Sequence, residues 1–433
     1  MGETRENSVT EVKQNRNDFG VKGWILILYL AIGFFLITGV TADLLNTTIP
    51  AWAELKGWSI SRLYAYGQVA GIAQIIGIIV FSRVIKKTGA RKLGIILVII
   101  SIVCFLCWRF VDAIPLYIFM YCVMMVSISG STYVVNSAII ANWFPTRKGM
   151  VLGWATMGAQ MSGVAGVALF SNILNNFGLG NAFAFWAIFP FAMLLFLIFF
   201  VRNNPEERGF NPDNDKNMTP EMAQKLLEEG REYERTSQWT VKKLLTTRYM
   251  WLTAVAAGPP LMFCIGVMSS FISRAGDMGI APEKAIGLMA LVTALGIPGS
   301  YLIGWFDQKL GTPNALKILY VMSGVALLLN LAGSVNVVFY YIGIILFAAT
   351  LGGGNNMPTS LIAHVFGRYD FANGYSTTYP VINVIMTFGF TLVGALATSA
   401  GGSYKMSYLI LIAIAVVGFI VTCFVPKTCI GRN

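Results

Sequence analysis

Charged residues are scarce in this sequence. Only 12% of its 433 residues are Asp, Glu, Lys or Arg, whereas 56% are hydrophobic. Soluble proteins carry about 25% charged residues. In a soluble protein, so few charged residues could not shield this much apolar surface from water. The composition therefore excludes an ordinary soluble protein and predicts a chain whose solvent is largely lipid.

Histidine and cysteine are also rare, which argues against several kinds of chemistry. The chain has one histidine, His364, and six cysteines. Cys104 and Cys107 have CxxC spacing, but they lie in an apolar run, where we interpret them as small packing residues rather than a redox or metal pair. We expect His364 to cap or flank a helix end, with a proton relay as the alternative. Without a metal cluster or a nucleophile–base pair, we predict no enzyme, no cofactor and no metal.

Long apolar runs take the place of charge. Each run is long enough to cross roughly 30 Å of hydrocarbon as a helix. They are continuous rather than alternating, which indicates helices and not barrel strands. The runs lie at 24–49, 60–82, 93–112, 115–141, 149–174, 182–201, 249–273, 284–306, 315–335, 337–363, 372–398 and 404–425. We therefore predict an all-α membrane protein with twelve transmembrane helices.

Two short patterns occur twice at one constant spacing. Ile-Ala-x-x-Phe at 140–144 recurs at 362–366, and Lys-x-Gly at 87–89 recurs at 309–311, both 222 residues later. A constant offset indicates a duplicated chain. The expected result is two pseudo-symmetric six-helix bundles, an architecture typical of secondary transporters.

Basic residues are unevenly distributed along the chain. With both termini in the cytoplasm, the inside segments would hold 25 of the 31 Lys and Arg residues, which favours that orientation by the positive-inside rule. The net charge of +11 is thus a topology signal, and we predict no nucleic-acid partner. We expect a multi-pass protein of the cell membrane, in a bacterium the inner membrane. The predicted division is an N-terminal tail at 1–23, bundles at 24–201 and 249–425, a cytoplasmic linker at 202–248 and a C-terminal tail at 426–433.

Polar residues within the predicted helices mark a candidate transport path. Asp43 is the carboxylate that we place inside a span, and such a group is costly there unless it is partnered or wet. We therefore predict that Asp43 takes part in coupling; the alternative is that helix 1 ends earlier and Asp43 lines the outer mouth. The candidate substrate-binding residues are Asn46, Gln68, Tyr133, Asn136, Gln160, Asn355, Asn356, Tyr375, Tyr379 and Asn383.

The tenth predicted helix contains an unusual run at 352–358, Gly-Gly-Gly-Asn-Asn-Met-Pro. We expect it to interrupt helical hydrogen bonding, which membranes tolerate only where protein or water covers the backbone. Such an interruption points to a substrate site. The alternative is a close helix crossing made by small residues.

Basic turns between helices resemble signatures of the major facilitator superfamily. The segment 82–92 resembles the family's Gly-x-x-x-Asp-Arg-x-Gly-x-Arg loop, with Ser82 and Lys86 replacing its first Gly and its Asp. The counterpart at 304–311 keeps an acid, shifted by one position. The resemblance implies that such turns form gates. The candidate gating residues are Lys87, Gly89, Arg91, Arg147, Asp307, Gly311 and Arg368.

Three further motifs are similar to the oxalate/formate antiporter and bacterial monocarboxylate transporter branch of that superfamily. They are Trp-Ser-x-Ser at 58–61, Asn-Trp-Phe-Pro-Thr-Arg-Lys-Gly at 142–149 and Pro-Glu-Glu-Arg-Gly-Phe-Asn-Pro-Asp at 205–213. The resemblance implies a secondary active transporter that moves a small organic acid by alternating access, as proton symport or anion exchange. Its expected partners are the small-molecule substrate, protons or a counter-anion, and membrane lipid. We expect a monomer.

One departure from that branch bears on the substrate. The branch's oxalate exchangers use an Arg in helix 8 and a Lys in helix 11, whereas 285–306 and 372–398 contain neither residue. Without a central cation a dicarboxylate would be costly to bind, so we predict a monocarboxylate. One alternative is a zwitterionic or quaternary ammonium metabolite facing Asp43 and tyrosines. A more remote alternative is a membrane receptor or sensor on a transporter scaffold.

Overall fold

The first half of the chain forms six membrane-length helices. The computed structural model describes residues 18–399 and 404–430, and the described residues contain no strand. Helices 1 to 6 run Gly20–Asp43, Ile60–Thr88, Ala90–Phe110, Ile114–Trp143, Lys148–Phe177 and Leu179–Phe199, and a further helical segment, Leu45–Lys56, extends helix 1. Helix 1 begins before the predicted residue 24 because Phe19 is buried against Trp24 and Phe144, with ring centroids 5.3 and 5.9 Å away.

The second half repeats this arrangement. Helices 7 to 12 run Arg248–Gly276, Pro282–Leu310, Thr312–Ala332, Val337–Gly354 continued by Met357–Phe366, Phe371–Ser399 and Lys405–Cys423. The prediction of an all-α membrane protein with twelve transmembrane helices is confirmed. The linker contains a helix, Pro220–Thr236, where the Thr219 hydroxyl accepts the Met222 N–H at 3.3 Å.

Equivalent positions in the two halves have equivalent structures. Gly89 ends helix 2 with φ 77° and ψ 160°, and Gly311 ends helix 8 with φ 82° and ψ 152°. This left-handed conformation favours glycine, which explains why both turns carry one. Ser137 and Thr359, 222 residues apart, lie with their hydroxyl oxygens 3.4 Å from each other. A contact between repeat-related residues lies on the pseudo-twofold axis, so the halves meet there.

Helices 5 and 8 cross closely between the halves. A Cβ on Gly304 would lie 2.6 Å from the carbonyl oxygen of Gly149, and one on Gly153 would lie 3.0 Å from that of Ser300. The glycines therefore let two backbones touch, as small residues do in membrane helix pairs. This crossing lies at the end of the bundle that carries the linker, which we call the linker side.

Several helices of this bundle are irregular within the membrane-length segments. Helices 1, 4 and 5 contain π-helical turns at Gly39–Asp43, Gly130–Asn136 and Ser162–Gly166. Helix 10 is broken at residues 355 and 356, which confirms the predicted interruption. Its glycines also pack closely, since a Cβ on Gly352 would overlap the carbonyl oxygen of Gly296. The break and a close crossing are therefore both present, and the substrate site that the break was taken to indicate stays a prediction.

Candidate functional site

A layer of buried hydroxyl and amide groups joins the two halves. Besides the Ser137–Thr359 contact, the Thr156 hydroxyl meets the side-chain oxygen of Asn356, whose Nδ2 donates to the Ser300 carbonyl at 2.9 Å. All five residues are at most 4% exposed. We call this set the polar layer. None of its members is ionisable, so the layer offers hydrogen bonds without charge.

Three tyrosines form a stack beside the polar layer. Tyr133 of helix 4 and Tyr379 of helix 11 have ring centroids 5.1 Å apart, across the boundary between the halves. Tyr375 stacks on Tyr379 at 4.6 Å with the rings 12° from parallel. Asn383 follows one turn later and donates Nδ2 to the Tyr379 carbonyl at 3.1 Å. The structure thus brings four of the predicted substrate-binding residues together.

Helix 5 packs against helix 8 between the two halves. Gln160 is buried against Gly296, where a Cβ would lie 2.8 Å from its Oε1. Trp154 and Tyr301 meet edge to face with centroids 4.9 Å apart. Gln160, predicted as a substrate-binding residue, therefore lies at the interface between helices 5 and 8, and the aromatic pair packs at the same interface.

Asn136 is buried in an unusual state. It is 0% exposed, and neither atom of its side-chain amide has a hydrogen-bond partner among the described residues. It lies in the π-helical turn of helix 4 and faces Gly33 of helix 1, whose carbonyl accepts from Thr132 at 3.1 Å. An unsatisfied buried amide costs about 1–3 kcal/mol. Retention of such a group indicates a purpose other than stability.

Asp43 ends the π-helical turn of helix 1. The chain is helical on both sides of it, so the alternative of an earlier helix end does not hold. Its Oδ2 and Ser162 Oγ, in the π-helical turn of helix 5, are both buried, and no described residue outside this pair hydrogen-bonds either atom. The two turns contact each other.

The remaining predicted substrate-binding residues are less central. Gln68 is exposed on helix 2, and Asn355 is half-buried at the break of helix 10. The side chain of Asn46 lies outside the described part of the structure. The geometry therefore gathers the helix 4, 5, 10 and 11 residues and leaves Gln68 apart.

The linker forms an ion pair and hydrogen bonds with the turn between helices 10 and 11. Arg368 donates to Glu206 at 2.9 Å, and both side chains are only 2% exposed. Asp370 accepts from the Tyr233 hydroxyl at 2.9 Å and from Ser237. A buried ion pair is costly to break, because removal of one partner leaves an uncompensated charge.

The linker also forms hydrogen bonds with the equivalent turn between helices 4 and 5. Asp213 accepts the N–H groups of Thr146 at 3.0 Å and Arg147 at 3.1 Å. Burial raises the pKa of the Asp213 carboxyl, and the hydrogen bonds from Thr146 and Arg147 act in the opposite direction. We call Glu206 and Asp213 the linker clamp, since they hold both repeat-related turns.

Asp307 is a buried acid at the linker end of helix 8. Thr312 donates to its Oδ1 at 2.7 Å, and Ser360 donates to its Oδ2. A Cβ on Gly149 at the start of helix 5 would lie 2.6 Å from the carboxyl group. Asp307 thus lies at a contact between the halves, where its gating role was predicted.

The first-half counterpart differs. Arg91 donates to the carbonyls of Leu197 at 2.9 Å and Ile198 at 2.7 Å, so it holds helix 3 to helix 6 within its own half. Gly89 lies next to Asn203 at the start of the linker, and Lys87 is exposed. The residue that reaches across is Lys86, which donates to Asn373 of helix 11.

Several residues in these contacts were not among the predicted sites, including Ser137, Thr156, Ser162, Ser300, Thr359, Lys86, Glu206, Asp213 and Asp370. The 205–213 motif was recognised only as a family signature, although its acids face the basic turns. Ser162 carried no signal, because nothing in a glycine-rich helix distinguishes a π-helical turn.

Comparison with known proteins assigns the family. Residues 30–379 match the model of the Major Facilitator Superfamily. The chain belongs to the Major Facilitator Superfamily. Over 250 residues it is 21% identical to the uncharacterized MFS-type transporter YhjX of Escherichia coli (strain K12), and this alignment spans 58% of either protein, less than two thirds of that relative. It is 23% identical over 335 residues to the oxalate:formate antiporter of Oxalobacter formigenes, 73% of this chain and 72% of the antiporter.

Solved structures share the fold. The proton:xylose symporter XylE bound to 6-bromo-6-deoxy-D-glucose matches with a TM-score of 0.76 at 13% identity, covering 93% of this chain and 96% of the symporter. The human organic anion transporter MFSD10 (TETRAN) matches with a TM-score of 0.67 at 11% identity, covering 92% of this chain and 98% of that transporter. The predicted family resemblance is confirmed. This superfamily member is a multi-pass membrane transporter and not an enzyme.

Proposed function

We propose that this protein is a secondary active transporter of a small organic acid, a monocarboxylate, working by alternating access as proton symport or anion exchange. The observation that carries the proposal is the uncharged polar layer between the halves, flanked by the tyrosine stack. These groups bond one another in this conformation; when the halves separate, they can donate hydrogen bonds to the two oxygens of one carboxylate while the tyrosine rings cover an apolar remainder.

The absence of a cation in this region supports one carboxylate rather than two. Residues 285–306 and 372–398 contain no Arg or Lys. A desolvated dianion would need charge compensation, since hydrogen bonds alone do not offset its lost hydration. The oxalate:formate antiporter among the relatives supports organic acids as the substrate class, and the missing cations favour the singly charged members.

The contacts on the linker side support alternating access. Helices 5 and 8 touch there, Lys86 of helix 2 reaches helix 11, and the linker clamp holds both turns. We infer that this conformation is closed on the linker side and takes substrate from the opposite face. The halves at 24–201 and 249–425 would rock about the axis at Ser137 and Thr359.

The distribution of basic residues supports a cytoplasmic linker side. In that orientation both termini are cytoplasmic, the protein lies in the cell membrane, and the closed side faces inward. The proposal therefore treats this conformation as outward-facing.

A second candidate substrate is a zwitterion or quaternary ammonium metabolite. The buried, unpartnered carboxylate oxygen of Asp43 favours it, because a bound cation would compensate that charge. The faces of Tyr133, Tyr375 and Tyr379 could also attract an ammonium group.

A ligand screen of the purified protein tests the proposal. Ligands that bind only the folded state raise the melting temperature, so we expect stabilisation by short monocarboxylates and not by oxalate, betaines or amino acids. Asn356→Ala should reduce the response, whereas Asn176→Ala, at an exposed position near the end of helix 5, should not. Stabilisation by betaines alone would transfer the proposal to the second candidate. Stabilisation by oxalate alone would contradict the substrate class.

A further inference from the structure

Two π-helical turns from different helices meet inside the first half. The turn of helix 1 is Gly39–Asp43 and that of helix 5 is Ser162–Gly166. Such turns are rare and occur frequently at functional sites, because the added residue disrupts regular hydrogen bonding and redirects nearby side chains. Helix interruptions in transporters also supply backbone carbonyls to coupling ions. Two such turns in contact therefore indicate a shared site.

Each turn directs a buried oxygen toward a glycine of the other. A Cβ on Gly39 would lie 3.1 Å from Ser162 Oγ, and a Cβ on Gly163 would lie 3.6 Å from Asp43 Oδ2. Among the described residues, no group outside this pair hydrogen-bonds either oxygen, and Ser162 is 0% exposed. The reciprocal glycines leave room around two neighbouring oxygens that no third described group satisfies.

The chemistry of these oxygens selects a small monovalent cation. One carboxylate and one hydroxyl are hard ligands, unlike the imidazole and thiolate ligands of transition metals. Calcium takes six to eight oxygen ligands and usually several carboxylates, whereas Asp43 is a single one. No described residue forms an ion pair with Asp43 within 4.0 Å, so an ion carrying one positive charge would neutralise it.

We propose that Asp43 and Ser162 form a sodium-binding site between helices 1 and 5. The site lies beside the boundary with the second half, since a Cβ on Gly163 would lie 2.8 Å from Thr293 Cγ2 of helix 8. Binding there would order the part of helix 5 that meets helix 8. Sodium binding stands by itself, whereas a role for sodium as the coupling ion of organic-acid transport rests on the proposed function.

Sodium binding is measured by thermal unfolding in sodium, potassium or choline chloride at one pH and one ionic strength. We expect a saturable, sodium-specific rise in melting temperature. Asp43→Asn and Ser162→Ala remove a ligand, and each should weaken sodium binding by about tenfold or more. Gly39→Ala should weaken it as well, because its methyl group would crowd Ser162 Oγ without removing a ligand.

Matched controls separate the site from general effects. Ser131→Ala changes a buried serine whose hydroxyl already bonds the Ile128 carbonyl at 2.9 Å, and Asp112→Asn changes an exposed carboxylate. Both should keep full sodium binding. Equal stabilisation by all three salts, or unchanged sodium binding in the Ser162 and Gly39 variants, would overturn the proposal even if Asp43→Asn failed to fold.

Flux measurements distinguish the site from the proposed function. Sodium binding without any organic-acid flux would leave the site intact and contradict the proposed function. Organic-acid flux without sodium binding would support the proposed function and contradict the sodium site. Flux that is indifferent to a sodium gradient, together with sodium binding, would overturn only the coupling role.

Discussion

At the residue scale, buried asparagines in this protein fall into two kinds. Asn330 is structural: its Oδ1 accepts from Arg274 Nε at 3.2 Å, and its carbonyl accepts from the same guanidinium at 3.0 Å. Asn136 is equally buried but has no partner for its side-chain amide. A group that costs stability in the resting protein is available for a ligand, and this contrast identifies Asn136 as the stronger functional candidate.

Replacement of Asn136 by leucine should separate stability from function. Asn136→Leu removes an unsatisfied amide at similar size, so we expect a melting temperature that is unchanged or higher, with a gain of up to about 1–3 kcal/mol. Ligand-induced stabilisation should be lost. Asn330→Leu, the comparison variant, should lower the melting temperature because it leaves Arg274 underbonded. A destabilised Asn136→Leu protein that still responds fully to ligand would assign Asn136 a structural role.

At the element scale, helices 5 and 8 cross closely on the linker side, which the proposed function treats as the closed side. Gly304 touches the backbone of helix 5, whereas Gly287 on the same helix has no neighbour within 4 Å of its Cβ position. The two glycines are therefore matched in helix and residue type but not in environment.

A bulky residue at the crossing should prevent closure. Gly304→Val would force the two backbones apart, and overpacking of this kind costs about 1–3 kcal/mol. We expect lost flux in reconstituted vesicles with retained folding. Gly287→Val should transport normally. Normal flux through the Gly304 variant would mean that this crossing does not close during transport.

Sequence patterns predicted the elements better than the contacts between them. The length of the apolar runs predicts the helices, the 222-residue offset predicts the duplication, and the run Gly-Gly-Gly-Asn-Asn-Met-Pro at 352–358 predicts the break of helix 10. Each of these signals is local in the sequence. The π-helical turns were not predictable, since they depend on packing between helices 1 and 5. The contacts of Arg91 were not predictable for a similar reason: its position in a gating motif does not reveal that its guanidinium bonds helix 6.

At the scale of the whole molecule, the linker contacts both halves. Its clamp joins the helix 4–5 turn through Asp213 and the helix 10–11 turn through Glu206. These turns belong to different halves, so the short segment 205–213 holds the halves together on one side.

Loss of the Glu206 charge should loosen the closed state. Removal of one partner from a buried pair costs about 3–5 kcal/mol, and Glu206→Gln should cost less than that because its amide can still bond Arg368. We expect a longer distance between spin labels placed at Lys87 and Lys309, two exposed, repeat-related positions, after replacement of the native cysteines. Glu207→Gln, at the exposed neighbouring position, should leave the distance distribution unchanged. If both variants gave the same distance distribution, the linker clamp would have no role in gating.

The central claim is transport of a small monocarboxylate, and flux into proteoliposomes tests it most directly. The purified protein is reconstituted, and uptake of radiolabelled short monocarboxylates and of oxalate is followed under proton and counter-anion gradients. The account predicts gradient-driven monocarboxylate uptake that oxalate does not match and that Gly304→Val abolishes. Absence of any organic-acid uptake by folded protein, or uptake of oxalate alone, would contradict it.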